Sequence, residues 1–182
     1  ELLVVFAAGN CGDDSVSGDL TDQCDGVNVD GSSVLSPAQA KNVVAVGSSE
    51  SGGETDKDIG TVSYFSSKGP TLDGRIKPDV VAPGDSTLSA SADPTGASCT
   101  MGLQTGTSMA TPVVAGNGAL ARQYFREGWY NGYKNLTLAY NPSAALIKAV
   151  LINSAVGMDY AGVNPLTSDV DVTLVLPPDK YQ

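Results

Sequence analysis

One serine stands where a chain can present a nucleophile. Ser108 lies among small residues in the stretch "GLQTGTSMATPVVAGNGALARQYF", at the predicted start of a helix. A helix N-terminus offers free N–H groups and the positive end of the helix dipole, and both stabilise developing negative charge. A serine in that place most often only caps the helix. A serine nucleophile also needs a base, yet the 182 residues include no histidine.

An asparagine supplies a second candidate group. Asn10 follows Gly9 at the end of the apolar run "LLVVFAA" (residues 2–8). In α/β sheets, ligands bind beyond the carboxyl ends of the strands. An asparagine there can donate its side-chain N–H to an oxyanion, although the commoner role of such a residue is to stabilise a turn.

The elements around these residues predict a layered α/β domain. Residues 2–8 and 42–48 are apolar runs typical of strands that a parallel sheet buries on both faces. Residues 77–84 indicate a further strand, cut short by a Pro-Gly pair. One helix is expected to begin near Ser108 and another to cover residues 141–156, so strands and helices alternate.

Both helices carry local signals. The first is expected to be central and buried, with Pro112 in its first turn, where a missing N–H costs little. Gly116 and Gly118 each cost about 1 kcal/mol relative to alanine on an exposed helix, which favours a close approach of a neighbour. Asn141 is the predicted N-cap of the second helix, and Pro142 is its predicted first residue.

Composition excludes some classes of partner. The net charge is −10, from 20 acidic and 10 basic residues, which argues against nucleic acid as a partner. No apolar run is long enough for a membrane span. The acidity is compatible with calcium binding or with an extracellular enzyme, and equally with a role in solubility alone.

Cysteine usage and one short motif bear on the compartment. Cys11 and Cys24 bracket a polar loop and could close it as a disulfide, which would indicate an oxidising environment. The third cysteine, Cys99, is then left over. The triplet Asn135-Leu136-Thr137 is an N-glycosylation sequon and adds a little weight to secretion.

Four ordered blocks resemble the subtilisin-like serine proteases, or subtilases. "GTSMATP" (residues 106–112) is similar to the active-serine motif, and "VVFAAGN" (4–10) to the strand that leads into the oxyanion-hole asparagine. "SPAQAKNVVAVGS" (36–48) resembles the segment that closes the S1 pocket. "FSSKGPTLDGRIKPDVVAPG" (65–84) resembles the "F-S-x-x-G-P … K-P-D-V-x-A-P-G" region. The blocks cover most of the chain.

The resemblance implies a fold and a mechanism. The fold would be the subtilisin-like three-layer α/β arrangement, a mainly parallel sheet flanked by helices. Ser108 would attack the carbonyl of a peptide bond, and the Asn10 side chain and the Ser108 N–H would hold the oxyanion. The chemistry would require no cofactor. The residues expected at the substrate-binding cleft are Ala7, Ala8, Gly9 and Thr107.

The resemblance also explains the missing histidine. Subtilases carry Asp, then His, then Ser along the chain. The Asp and His would therefore lie upstream of residue 1, and residues 1–182 would form part of one catalytic domain. The expected partners are the upstream part of that domain and a polypeptide substrate, in an extracellular or secretory location.

The loop after Asn10 departs from the compact members of the family. It carries several carboxylates that could bind a structural Ca²⁺, which takes six to eight oxygen ligands. A solvated acidic loop is the plainer interpretation. The carboxylates belong to Asp13, Asp14, Asp19, Asp22, Asp25 and Asp30.

Two other functions remain as alternatives. A subtilase relative without catalysis could use the same cleft to bind peptides, and the presence of the upstream Asp and His would discriminate the two. A serine hydrolase of the α/β-hydrolase class fits poorly, because Ser108 lies in "T-G-T-S-M-A" and no "G-x-S-x-G" elbow is present.

Overall fold

The computed structural model describes residues 1–12, 24, 32–51, 60–92, 95–96, 99–158 and 160–161. Among these residues, six short strands precede two helices in the chain, and a seventh strand follows them. The strands are β1 (Val5–Ala7), β2 (Val44–Ser49), β3 (Thr61–Val62), β4 (Val80–Pro83), β5 (Thr87–Ser91), β6 (Thr100–Gln104) and β7 (Tyr160–Ala161). The helices are α1 (Thr107–Arg126) and α2 (Ala144–Asn153), with 3₁₀ turns at Trp129–Asn131 and Leu136–Leu138 between them.

β2 is the centre of the main sheet. It pairs in parallel with β1, Val5 opposite Val44, and in parallel with β4, Val46 opposite Val80. β3 pairs in antiparallel register with the C-terminal end of β2, and β7 pairs in parallel with β3. Every residue of β2 is buried, as its continuous apolar run predicts for a central strand.

The two faces of β2 belong to different cores. Val44 and Val46 pack with Ala82 of β4 and with Ala110 and Val114 of α1. The intervening Ala45 points to the other face, since side chains alternate along a strand. There it packs in a second cluster, with Ala8, Val34 and Ala38. The sheet therefore holds α1 on one side and the 32–41 segment on the other.

α1 is buried along one stripe rather than all round. Its buried residues, Thr107, Ala110, Val114 and Gly118, recur at helical spacing. Gly118 meets the expected close neighbour, since a Cβ there would lie 3.1 Å from the Leu3 side chain. Gly116 is open instead, with nothing within 4 Å. The prediction of a central, buried helix therefore holds for this stripe only, and Leu120 is 64% exposed.

The predicted boundaries shift at both helices. α1 begins at Thr107, so Pro112 is its sixth residue and lies past the first turn. There its missing N–H removes a helical bond to the Ser108 carbonyl. α2 begins at Ala144 with Ser143 as N-cap, whose Oγ accepts from the Leu146 N–H at 3.1 Å. Asn141 and Pro142 therefore precede the helix.

An unpredicted hairpin leads into α1. β5 and β6 pair in antiparallel register, Leu88 opposite Leu103, and form a separate two-stranded sheet. β6 ends at Gln104, three residues before the helix starts. The segment "DVDVTLVLPPDKYQ" (residues 169–182), whose sequence suggests a strand and then a turn, lies outside the described residues. Among the described helices, neither has the length and apolarity needed to cross a bilayer.

A buried ion cluster ties β2, β4 and α2 together. The Asp79 carboxylate lies 2.6 Å from Lys77 Nζ and 3.0 Å from Lys148 Nζ. It also accepts the Ala45 N–H at 2.8 Å, while both amines donate to the Val43 carbonyl. Burial lowers the pKa of the Lys77 amine, and the Asp79 carboxylate opposes that shift. The Lys77-Pro78-Asp79 segment therefore has a structural role.

Candidate active site

Two glycines fix where α1 begins. Gly106 is the N-cap, with φ +150° and ψ 162°, a conformation that is essentially restricted to glycine. Its N–H donates to the Gly84 carbonyl at 2.8 Å. A Cβ at Gly84 would lie 2.7 Å from the Gly106 oxygen, so only glycine allows the two backbones to approach this closely. The turn after β4 therefore positions the helix start.

Ser108 is the second residue of α1 and is exposed. Within the described residues, no hydrogen bond involves its hydroxyl or its backbone N–H. Its hydroxyl does not cap the helix. The N-cap is Gly106, and no side chain forms a capping hydrogen bond there. The capping interpretation of Ser108 is therefore wrong, and both groups are accessible to a ligand.

Asn10 meets α1 from the end of β1. Its Oδ1 accepts from the Thr107 N–H and from the Thr107 hydroxyl, each at 2.9 Å. Because a backbone N–H can only donate, the oxygen and nitrogen of the Asn10 amide cannot be exchanged. The Nδ2 group must point away from Thr107 with its hydrogens available, and the residue is exposed.

Gly106 keeps the space beside that amide open. A Cβ at Gly106 would lie 3.2 Å from Asn10 Nδ2 and would crowd this donor. The first turn of α1 contains no acidic residue, so no side chain there neutralises the positive end of the helix dipole. An exposed hydroxyl and an amide donor thus both lie at the N-terminus of α1.

The substrate-cleft candidates divide into two groups. Ala8 is fully buried, its N–H bonded to the Val46 carbonyl and its own carbonyl to the Leu35 N–H. Thr107 is 1% exposed, with its side chain turned to Asn10. Both residues are thus buried, and their place at the substrate-binding cleft stays a prediction. Ala7 and Gly9 are half-buried and stay candidates.

The sequence does not predict the hydrogen bonds of the Thr107 side chain. Its hydroxyl accepts the Gly9 N–H at 3.2 Å while it donates to Asn10 Oδ1. One side chain thus connects the loop after β1 with the start of α1, across 97 residues of sequence. No local pattern carries that long-range contact. The only signal available was a hydroxyl residue directly before the candidate nucleophile.

Cys11 and Cys24 are paired as a disulfide in the structure, with Cα atoms 5.3 Å apart. The Cys11 N–H donates to the buried Ser67 hydroxyl at 3.0 Å, so the residue after Asn10 is held on two sides. Cys99 is a free, exposed thiol. The six aspartates of the predicted calcium loop lie outside the described residues, and the calcium site stays a prediction.

Family comparison agrees with the motifs. The model of the subtilase family matches residues 1–172. The chain belongs to the subtilase family, which confirms the resemblance drawn from the four sequence blocks.

The named relatives are much longer than this chain. It is 35% identical over 131 residues to the serine protease AprX of Bacillus subtilis, covering 67% of this chain and 26% of AprX. It is 41% identical over 107 residues to the serine protease/ABC transporter B family protein tagA of Dictyostelium discoideum. That match covers 51% of this chain and 6% of tagA.

Solved structures confirm the predicted subtilisin-like α/β fold. The prenylagaramide maturation protease PagA superposes with a TM-score of 0.53 at 26% identity, covering 85% of this chain and 40% of PagA. The patellamide maturation protease PatA gives a TM-score of 0.52 at 28% identity, with 85% and 41% covered.

Proposed function

We propose that this chain is the part of a serine endopeptidase that carries the nucleophile and the oxyanion hole. Ser108 is the nucleophile, and the Asn10 Nδ2 and the Ser108 N–H are the oxyanion donors. The observation that carries the proposal is the Asn10 amide, oriented by Thr107 and open beside the start of α1.

The proposed reaction uses these groups in order. Ser108 Oγ attacks the scissile carbonyl, and its proton passes to a histidine. The carbonyl oxygen becomes an oxyanion, which the two donors stabilise most strongly at that stage. The intermediate collapses to an acyl-serine as the histidine gives its proton to the leaving amine. Water then attacks the acyl-serine by the same steps and releases the acid.

The histidine must come from outside these 182 residues, which contain none, and the subtilase order Asp, His, Ser places the aspartate upstream of that histidine. We therefore propose a longer protein, called the parent protein below, whose upstream part completes the domain.

The edge of β1 that faces away from β2 supports this proposal. β1 bonds to β2 through the Val4 carbonyl and the Ala8 N–H, so the polar backbone groups of Val5 and Ala7 face the opposite edge, where a further strand can pair.

The substrate is a polypeptide, and small residues shape the proposed cleft. Ala7 and Gly9 offer a wall with little side-chain bulk, which favours a roomy, apolar S1 pocket. The pairing of Cys11 with Cys24 supports an oxidising, secretory location, because disulfides persist there.

Covalent labelling tests the proposal. A fluorophosphonate probe reacts with an activated serine, so we expect the processed parent protein to be labelled and its Ser108→Ala variant to be unlabelled. Mass spectrometry of the labelled peptide should place the adduct on Ser108. Residues 1–182 alone should stay unlabelled, because the base is absent.

Two outcomes would count against the proposal. A folded, processed parent protein that takes no label would favour a peptide-binding relative without catalysis. Labelling that survives in Ser108→Ala would move the nucleophile to another residue.

The hydroxyl of Thr107 gives a finer prediction. In Thr107→Val a methyl group takes the place of the hydroxyl, so the hydroxyl bonds to Gly9 and Asn10 are lost while the backbone N–H still donates to Asn10 Oδ1. A typical hydrogen bond contributes about 0.5–1.5 kcal/mol. If that energy orients the oxyanion donor, kcat of the parent protein falls roughly 3- to 10-fold while KM changes little.

Thr107→Ser is the matched control, because it keeps the hydroxyl and should restore most of kcat. Steady-state kinetics on one fluorogenic peptide would measure all three proteins. Equal kcat values for the valine variant and the wild type would show that the Thr107 hydroxyl does not orient the donor.

A further inference from the structure

The sequon Asn135-Leu136-Thr137 lies far from the proposed active site. α1 has 20 residues, so its C-terminal end lies roughly 30 Å from Ser108 at about 1.5 Å per residue. The Asn135 N–H donates to the Gly128 carbonyl at 3.2 Å, just beyond that end. The sequon is therefore held at the opposite end of α1 and plays no part in the proposed reaction.

The local geometry leaves one particular atom available. Asn135 is the N-cap of the 3₁₀ turn, and its Oδ1 accepts from the Thr137 N–H at 3.0 Å and from the Thr137 hydroxyl at 2.7 Å. Two donors on Oδ1 fix the amide orientation. Within the described residues, no hydrogen bond involves Asn135 Nδ2, the atom that N-glycosylation modifies.

The surroundings leave space for a large substituent. Leu136 is 67% exposed and Tyr133 is 61% exposed, and nothing lies within 4 Å of a Cβ placed at Gly132. Within the described residues, the loop thus presents apolar and aromatic surface to solvent. A glycan there would cover this surface without displacing any packed side chain.

We propose that Asn135 is an N-glycosylation site of the parent protein in a eukaryotic secretory pathway. The inference rests on the secretory location in the proposed function. In the reaction, Asn135 Nδ2 forms a bond to C1 of the first sugar of a lipid-linked oligosaccharide diphosphate. The bond from C1 to the diphosphate oxygen breaks, the lipid diphosphate leaves, and the amide nitrogen loses one proton to a base of the transferase.

The experiment uses the parent protein, secreted from a eukaryotic host behind a supplied signal peptide. A C-terminal tag with its own sequon reports passage through the pathway. We expect the peptide containing Asn135 to carry a glycan that peptide N-glycosidase removes, with conversion of Asn135 to aspartate. The glycan should be lost in Asn135→Gln and in Thr137→Val and kept in Thr137→Ser.

The chain supplies a matched control. Asn141-Pro142-Ser143 has sequon spacing but a proline in the middle, which excludes it as an acceptor, so Asn141→Gln should leave the glycan pattern unchanged. A glycosylated tag beside an unmodified Asn135 would overturn the inference. Fluorophosphonate labelling of the same sample tests the proposed catalysis independently of glycosylation. We expect the Asn135→Gln variant to be labelled as strongly as the wild type.

Discussion

Replacing Asn10 with leucine lowers kcat of the parent protein by about 10²–10³-fold and leaves KM nearly unchanged, if Asn10 Nδ2 is an oxyanion donor. This magnitude is carried over from subtilisin, where loss of one such donor has that effect. The physical reason is that the donor bonds more strongly to the oxyanion than to the ground-state carbonyl. Steady-state kinetics on a fluorogenic peptide, with active sites titrated by fluorophosphonate, would measure it.

The control for this variant is Asn10→Asp. An aspartate keeps an oxygen that can accept both bonds from Thr107, but it replaces the N–H donor with a second oxygen. If Asn10 only braced the start of α1, the aspartate variant would retain its kcat. We expect it to be as impaired as the leucine variant, and wild-type kcat in either one would rule out the donor role.

Replacing Asp79 with asparagine destabilises the fold by about 3–5 kcal/mol, because it leaves buried amines without their counter-charge. Lys77 is 5% exposed and loses its closest ionic partner, and Lys148 loses the same carboxylate. The asparagine oxygen can still accept the Ala45 N–H, so the effect isolates charge. The midpoint of thermal unfolding should fall on the order of 10 °C.

The melt is best done in the Ser108→Ala background, where self-digestion cannot contribute. Asp73→Asn is the matched control, since Asp73 pairs with Arg75 at 2.9 Å but is 63% exposed. Exposed pairs contribute little, so the midpoint should barely move in that variant. Equal midpoints for the two variants would mean that the buried cluster does not stabilise the fold.

The groups proposed to react are easier to predict from the sequence than the elements that hold them. Ser108 and Asn10 stand out because small residues, a strand end and a helix start are local signals. The strand β2 was equally plain, since burial on both faces leaves a continuous apolar run. The start of α1 is predicted less exactly, because the sequence places Pro112 in the first turn whereas it lies in the second.

The contacts between distant segments could not be predicted in this way. Thr107 meets Asn10 across 97 residues, and the charges of Asp79 and Lys148 meet between β4 and α2. The β5–β6 hairpin also escaped prediction. Its strands have few bulky apolar residues and are mostly exposed, so they lack the alternation that marks a half-buried strand.

The bond between Thr107 and Asn10 has a consequence for motion. Thr107 and Ser108 are neighbours on α1, so the helix that carries the hydroxyl also holds the amide of Asn10. A shift of α1 therefore pulls on the Asn10 side chain as well, so the two bonds from Thr107 oppose any change in the separation between the proposed donor and the proposed nucleophile. In the proposed reaction, the entropy of orienting the donor is then lost once, during folding, and not again in each turnover.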